Sequence, residues 1–180
     1  MHTGSIPLTS LSDPFDLRAT VECGQTFLWT RENGETYAAG RSGDDWYVTA
    51  HDGEVVRVRQ RDGRLEWEAT TDAEPILRER HRLDDDLESV RDAARDDQLV
   101  ATAYEHSRGL RIVDDPFFAC LVSFICSAQM RVERTFAMQA ALRERYGEPV
   151  ELDGRTYRAY PTPEALADAD ETALRELKDG

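Results

Sequence analysis

The sequence DPFFACLVSFICS, residues 115–127, decides how the second half of the chain folds. Asp115 can cap the exposed amides of a helix, and Pro116 at the first helical position gives up no donor that the helix needs. The residues that follow, 117–126, are apolar on nearly every side except at Ser123. Because a helix that is apolar all round is usually buried, we expect this one to form the core of a helical domain.

Helical signals surround this segment from about residue 75 onward. Each further helix is predicted from a capping residue, an apolar period or a stop signal. The predicted helices run over 98–107 and 132–146 and start again near Thr162 and Asp170. In the helix of residues 132–146, Val132, Phe136 and Ala140 are stacked at i, i+4 spacing, and Gly147 ends it. Residues 152–160 are predicted to be loop or short extended chain.

The first half of the chain has a period of two between residues 26 and 70. Three pairs that favour tight hairpins divide it: Asn33-Gly34, Asp52-Gly53 and Asp62-Gly63. The predicted strands are 26–30, 36–39, 46–50, 55–60 and 64–69. In the last strand, Leu65 and Trp67 share one face while Glu66 and Glu68 share the other. The sequence therefore predicts an α+β protein in which an antiparallel meander with one solvent-exposed face precedes the helices, with the boundary near residues 70–85.

The composition is strongly acidic and poor in lysine. The 180 residues contain 22 basic and 36 acidic side chains, a formal charge of 22 − 36 = −14, and Lys178 is the only lysine. Such a surface is typical of a protein kept soluble in very high salt, where the Debye length falls to about 3 Å and charge repulsion is screened. In that setting the net charge does not exclude DNA as a partner. An ordinary acidic cytosolic enzyme is the alternative interpretation.

The cysteines do not suggest a metal centre. Cys23, Cys120 and Cys126 show no C-x-x-C or Cys/His spacing, so we expect buried free thiols and neither a metal nor an iron–sulfur cluster. No stretch approaches the roughly 18 apolar residues of a membrane helix, and the N-terminus lacks the pattern of a signal peptide. We therefore expect a cytoplasmic protein without a cofactor.

Two segments resemble a known family. Residues 21–29, VECGQTFLW, and residues 115–134, DPFFACLVSFICSAQMRVER, resemble in this order two elements of the 8-oxoguanine DNA glycosylases of the helix-hairpin-helix superfamily. Residues 152–161 extend the similarity. The resemblance implies a β domain similar to the TATA-binding-protein fold over 1–75 and an incomplete helical glycosylase domain over 76–180. It also implies a monomer that acts in base excision repair on double-stranded DNA with 8-oxoguanine opposite cytosine.

Lesion recognition is the role that the resemblance assigns to Gly24. The oxidised base differs from guanine chiefly by a proton on N7 and an oxygen on C8, and the family's glycine accepts that proton with its backbone carbonyl. With normal guanine the carbonyl would lose this bond, a penalty of about 1 to 3 kcal/mol. Without the resemblance, Gly24 would simply be a turn glycine that needs a positive φ.

The resemblance also assigns DNA-binding roles around the end of the apolar helix. An extruded nucleotide leaves a gap and an orphaned partner base. Gln129 stands at the family's wedge position, where asparagine is more usual, and Arg134 stands at a position that contacts the estranged cytosine. Met130 and Arg131 replace further asparagines. The alternative is a solvated connection between helices.

Three neighbours of Gly24 are expected to be strand residues, with the two aromatics in the core: Gln25, Phe27 and Trp29. Ser127 is expected to satisfy backbone groups.

The catalytic residues of the family are not expected within this chain. The family uses a lysine that attacks the sugar C1′ and forms a Schiff base, together with an aspartate, and both lie in and after the hairpin element. The similarity runs out at residues 177–180, and Lys178 aligns with an earlier helix. The implied alternatives are a module that binds damaged DNA without cutting it, or half of a split glycosylase. An alkylated-base glycosylase is a third interpretation.

Overall fold

The computed structural model describes residues 1–34, 45–94 and 96–177 and has the predicted α+β class. The strands are β1 (His2–Pro7), β2 (Thr30–Arg31), β3 (Tyr47–His51), β4 (Glu54–Arg61), β5 (Arg64–Ala69), β6 (Pro149–Leu152) and β7 (Arg155–Arg158). The helices are α1 (Leu17–Val21), α2 (Glu74–Arg80), α3 (Leu87–Ala94), α4 (Gln98–His106), α5 (Phe117–Ser127), α6 (Val132–Tyr146), α7 (Pro163–Ala167) and α8 (Glu171–Glu176). The predicted strand 36–39 and Lys178 lie outside the described residues.

The main sheet contains the predicted meander. Its order is β1-β5-β4-β3-β2, and all neighbouring strands are antiparallel. β1, which no local sequence pattern predicted, pairs with β5 along its whole length. The predicted strand 26–30 is wrong except at Thr30, because the side chains of Thr26 and Phe27 bond to or pack against the helical half.

At two of the three predicted sites, tight turns with positive φ connect the strands; the strand predicted to follow Asn33-Gly34 lies outside the described residues. Asp52 and Gly53 have φ values of 52° and 76°, and Asp62 and Gly63 have values of 48° and 71°. The pair 153–154 has the same geometry, 52° and 71°, and joins β6 to β7. The prediction of loop or short extended chain over 152–160 therefore missed a hairpin whose Asp-Gly signal is present in the sequence.

The main core lies between the sheet, α1 and α2. It includes Ile6, Leu17, Trp29, Val58, Leu65 and Leu77, all at most 1% exposed. The other face of the sheet is less exposed to solvent than predicted. The β6–β7 hairpin covers part of it, where Val55 and Leu152 share a second cluster. Ion pairs occupy the same strand further along, including Arg57 with Glu68 at 3.0 Å. The division of the chain at residue 75 stays a prediction.

The predicted bounds of α6 are confirmed. The helix predicted over 98–107 is α4, and the Asp97 carboxylate caps it by accepting from the amides of Leu99 and Val100. The stacked apolar positions of α6 are nevertheless not its buried face. Its buried side chains are Thr135, Gln139 and Leu142, whereas Val132 is 51% exposed. Helix spacing alone did not identify which side of α6 packs inward.

Two expectations about α5 are wrong. Pro116 is its N-cap, and the Asp115 carboxylate makes no capping bond because it accepts a hydrogen bond from Thr26 instead. Only Ala119 and Cys126 of this helix are buried. One side of α5 packs against α6, and the other is open to solvent. We call that open side the α5 apolar face; it consists of Phe117 (82% exposed), Leu121 (43%), Phe124 (76%) and Ile125 (63%).

The cysteines only partly match the expectation of buried thiols. Cys126 is buried, but Cys23 and Cys120 are exposed, because the first lies in a surface turn and the second points away from the packed side of α5. Across residues 1–34, 45–94 and 96–177, no helix is long and apolar enough to cross a bilayer.

Candidate nucleic-acid interface

Gly24 is exposed and lies directly after α1, in the segment of residues 22–26 that we call the Gly24 turn. Its φ is +89°, in the region that L-residues rarely adopt. Apart from its two chain neighbours, no atom of the described residues lies within 4 Å of a Cβ built on Gly24. The space beside this backbone is therefore open, and glycine is needed here for its conformation. Both readings of Gly24 from the sequence, a turn glycine and a point of close approach, are compatible with this geometry.

The Gln25 side chain fastens this turn to a distant segment. Its Nε2 donates to the backbone oxygens of Thr20 at 2.9 Å and Arg111 at 2.6 Å. Its Oε1 accepts from the backbone amide of Val113 at 2.9 Å. One side-chain amide thus uses both donors and its oxygen to join the end of α1 to the extended chain that leads into α5. The expectation that Gln25 is a strand residue is wrong.

Thr26 makes a second link to the same region. Its hydroxyl donates to Asp115 Oδ2 at 2.5 Å and accepts from the Leu28 amide. Burial raises the pKa of the Asp115 carboxyl above its ordinary value, although the bond from Thr26 opposes that shift. The other oxygen, Oδ1, is buried without a hydrogen-bond partner among the described residues. The entrance of α5 is therefore joined to the residue two positions after Gly24.

A buried ionic network holds the other side of the turn. Glu22 accepts from Arg31 at 2.5 and 3.0 Å and from the Tyr47 hydroxyl at 2.9 Å. Burial acts to raise the pKa of Glu22, but hydrogen bonds from Arg31, Tyr47 and Arg18 outweigh it and hold the pKa below its ordinary value. The turn is thus fixed to the main sheet through Glu22 and to the helical half through Gln25 and Thr26.

The loop between α5 and α6 carries the second group of predicted site residues. Gln129 is exposed at its tip with a φ of +59°, and the Met130 amide donates to the Ser127 carbonyl. The Ser127 hydroxyl donates to the Phe124 carbonyl at 3.0 Å, which is the backbone role expected for it. Arg134 is exposed in the first turn of α6. A non-glycine residue held at positive φ is strained, and such strain is common at functional sites.

Packing between Phe27 and α6 connects the two groups. The rings of Phe27 and Phe136 lie 4.7 Å apart at 60°, and Arg143 donates to the Phe27 carbonyl at 3.1 Å. The prediction that Phe27 belongs to the β-domain core is therefore wrong, whereas Trp29 is buried in that core as predicted. The Gly24 turn is linked to the entrance of α5 and to the second turn of α6, the two helices that flank Gln129.

Sequence reasoning missed the contacts that hold these parts together. Gln25 bonds to residues 86 and 88 positions away, and Thr26 bonds to a residue 89 positions away. No local pattern marks such pairs. The only signal was indirect, since both residues belong to the segment whose sequence resembles the family.

Comparisons with known proteins agree with this architecture. The model described as "8-oxoguanine DNA glycosylase, N-terminal domain" matches residues 7–121, and the model of the HhH-GPD superfamily of base excision DNA repair proteins matches residues 122–180. A probable N-glycosylase/DNA lyase of Methanothermobacter thermautotrophicus is 31% identical over 85 residues, which are 46% of this chain and 27% of that protein. An N-glycosylase/DNA lyase of Saccharomyces cerevisiae is 34% identical over 98 residues, 53% of this chain and 26% of that protein.

Solved structures show the same similarity. The apo crystal structure of the Clostridium acetobutylicum 8-oxoguanine glycosylase/lyase superposes with a TM-score of 0.77 at 25% identity, covering 93% of this chain and 56% of that one. Its complex with double-stranded DNA containing cytosine opposite 8-oxoguanine gives the same score and covers 55% of that chain. The chain thus spans little more than half of these structures. It belongs to the 8-oxoguanine DNA glycosylase family, with the family's N-terminal domain at residues 7–121 followed by a segment of the HhH-GPD superfamily.

Proposed function

We propose that residues 1–180 form the lesion-recognising part of an 8-oxoguanine DNA glycosylase/AP lyase of base excision repair. The substrate is double-stranded DNA with 8-oxoguanine opposite cytosine, and the chain acts as a cytoplasmic monomer. The observation that carries this proposal is the open Gly24 turn, fastened to the entrance of α5, the helix that ends at Ser127 just before Gln129. Family membership and the DNA complex of the Clostridium relative support it.

Gly24 reads the lesion in this proposal. Its carbonyl accepts the N7 proton that 8-oxoguanine has and guanine lacks. Among the described residues, no atom beyond the chain neighbours lies within 4 Å of a Cβ at this position, which leaves room for a base to approach the backbone. The difference between a made and an unmade hydrogen bond, about 1 to 3 kcal/mol, corresponds to a preference of roughly 5- to 150-fold.

In this proposal Gln129 fills the gap left by the extruded base, and Arg134 binds the opposite base. Extrusion of a base costs a few kcal/mol of stacking and pairing, and a side chain that fills the gap recovers part of it. Gln129 is exposed at the tip of its loop, where it can enter the gap, and Arg134 follows on the first turn of α6. Arg134 then donates to the cytosine left without its partner.

Cleavage of the glycosidic bond requires an amine nucleophile, and we do not assign one among residues 1–180. Lys178 is the only lysine side chain of the chain. Borohydride trapping on a duplex with 8-oxoguanine opposite cytosine tests this assignment, and we expect no covalent adduct. An adduct that disappears in a Lys178→Ala variant would place the chemistry within this chain and overturn that part of the proposal.

The recognition role is tested by fluorescence anisotropy with labelled duplexes at one fixed salt concentration, because phosphate contacts make affinity depend on salt. We expect the chain to prefer 8-oxoguanine over guanine opposite cytosine. Arg134→Ala should reduce the preference for cytosine over the other three opposite bases. Arg175→Ala, the same charge change on α8, is the control and should leave that preference intact. Equal binding to all four opposite bases by the unmodified chain would refute the assignment of Arg134.

The α5 apolar face favours a second candidate, a damaged-DNA-binding half whose helical domain another polypeptide segment completes. Phe117, Leu121, Phe124 and Ile125 are spaced i, i+4, i+7 and i+8, so they form one continuous stripe. Exposed stripes of this size mark surfaces that bind another apolar surface. The solved relatives extend well beyond the part matched by this chain, which makes further glycosylase-domain helices the natural occupant.

This candidate predicts lesion-dependent gel shifts without strand nicking. A Phe117→Ser/Phe124→Ser variant should lose the binding of an apolar dye such as anilinonaphthalene sulfonate and keep the gel shift, because the face serves helices and not DNA. Loss of the gel shift in a variant that remains folded would instead place DNA on the α5 apolar face and contradict the candidate.

A further inference from the structure

Gln25 is the one side chain of the Gly24 turn that bonds both to the turn's own helix and to the chain leading into α5. Its amide nitrogen donates to the carbonyls of Thr20 and Arg111, and its oxygen accepts from the Val113 amide. The three partners are backbone groups, so the amide fixes the course of two chain segments relative to each other. We call this set of three bonds the Gln25 clamp.

The segment held by the Gln25 clamp is itself firmly anchored. The Arg111 side chain is buried and donates to the carbonyls of Arg82 and Asp85 in the loop after α2. The Arg111 amide also donates to the Thr20 hydroxyl. The clamp therefore ties a surface turn to a rigid point, since a buried guanidinium bonded to carbonyls cannot move without losing those bonds.

We propose that Gln25 is a positioning residue that sets lesion specificity by holding the Gly24 carbonyl in the orientation that accepts the N7 proton. This inference rests on the proposed recognition of the lesion by Gly24. Gln25 follows Gly24 directly and precedes the buried Thr26. A rotation of the peptide that joins residues 24 and 25 would therefore turn the Gly24 carbonyl and at the same time strain the Gln25 clamp. A hydrogen bond depends steeply on its angle, so a freely rotating carbonyl discriminates poorly.

The main test compares lesion preference, the ratio of affinities for duplexes with 8-oxoguanine and with guanine opposite cytosine, in the native chain and in Gln25→Met. Methionine keeps the length of the side chain and removes all three bonds. We expect the preference to fall on the order of tenfold, while affinity for the undamaged duplex changes by less than about twofold. A preference that is unchanged in folded Gln25→Met overturns the inference.

A second variant separates positioning from general loss of stability. In Gln25→Glu the ionised carboxylate faces the carbonyls of Thr20 and Arg111 and cannot donate to them, whereas the protonated acid can donate to one. The two carbonyl oxygens disfavour the carboxylate and accept from the acid, so they raise the pKa of a carboxyl here above its ordinary value of about 4.3. We therefore expect the lesion preference of Gln25→Glu to recover in part as the pH falls from 7.5 to about 5, relative to the native chain. Glu22 and Asp115, the nearby titrating groups, are the same in both proteins and cancel in this comparison.

Gln98→Glu makes the same chemical change at an exposed position of α4 and is the matched control. The lesion preference of Gln98→Glu should follow the native curve over the same pH range. A Gln25→Glu curve parallel to the native curve would overturn the inference. The outcome that tests the proposed function is different, because a native chain without any lesion preference would refute recognition by Gly24 and with it this role for Gln25.

Discussion

Replacing Gly24 by alanine should separate the backbone requirement of the turn from its role in recognition. Gly24 has a φ of +89° and nothing within 4 Å of a built Cβ, so alanine would suffer no collision. The whole effect comes from the backbone. An L-residue either keeps the positive φ at a cost in energy or relaxes to a negative φ, and in the second case the carbonyl changes direction.

The magnitude follows from two opposing effects. A left-handed conformation costs an L-residue about 1–2 kcal/mol, whereas alanine restricts the unfolded chain and returns about 0.4–1 kcal/mol. We expect a net loss of about 1 kcal/mol in the free energy of unfolding. For a chain of this size that is a fall in Tm of roughly 2–4 °C.

Gly53→Ala is the matched control, because Gly53 has a φ of +76° and also meets nothing within 4 Å. It lies in the turn between β3 and β4, outside the candidate interface. Urea unfolding should show similar losses for the two variants. Anisotropy with lesion and undamaged duplexes should show that only Gly24→Ala loses the preference for 8-oxoguanine.

The reasoning is refuted if Gly24→Ala is destabilised like Gly53→Ala and still prefers the lesion as strongly as the native chain does. Equal loss of preference in both variants would also refute it, because the effect would then follow from stability alone.

Three further predictions concern stability. Burial lowers the pKa of His81 to about 3, and neither ring nitrogen has a hydrogen-bond partner among the described residues, so only the neutral form fits the core. Below about pH 6.5 the unfolded chain takes up a proton at His81 and the folded chain does not. This group should therefore lower the free energy of unfolding by about 1.4 kcal/mol per pH unit between pH 6.5 and 3. In His81→Phe, the free energy of unfolding measured with urea should depend less on pH over the same range. Gly147→Ala should cost about 1–3 kcal/mol in urea unfolding, because its Cβ would clash with the carbonyl oxygens of Ala159 and Arg143; an unchanged midpoint would contradict the close packing. Gln129→Asn should stabilise the chain by on the order of 0.5 kcal/mol, because asparagine tolerates the φ of +59° better, and a destabilised variant would show that the glutamine side chain makes a compensating contact.

The local signals of the sequence were reliable where a few adjacent residues determine the backbone. Asp52-Gly53 and Asp62-Gly63 form the predicted turns, and α6 begins and ends where predicted. Asp153-Gly154 carries the same signal, but its flanking strands have only four residues each and gave too short a period to be recognised.

Burial was harder to predict than secondary structure. The run 117–126 is a helix, as its composition indicates, yet most of its large side chains are exposed. An apolar run shows that a segment needs a covering surface, and the sequence pattern does not show whether the surrounding chain supplies one. The contacts of Gln25 and Thr26 were unpredictable for a related reason, since their partners lie 86–89 positions away.

The two halves of the candidate interface depend on different parts of the molecule. The ionic network of Glu22, Arg31 and Tyr47 fixes the Gly24 turn to the main sheet, and Gln25 fixes it to the anchored segment at residues 111–113. None of these contacts involves the α5 apolar face. Gln129 instead follows α5, which ends at Ser127 and whose outer face is exposed, so the position of Gln129 depends on that helix. Since apolar surface left in water favours rearrangement that buries it, we expect the Gln129 loop to shift when the α5 apolar face is covered. In the proposed function, recognition of the oxidised base therefore depends on contacts made within the described residues, and recognition of the opposite base depends on what covers the α5 apolar face.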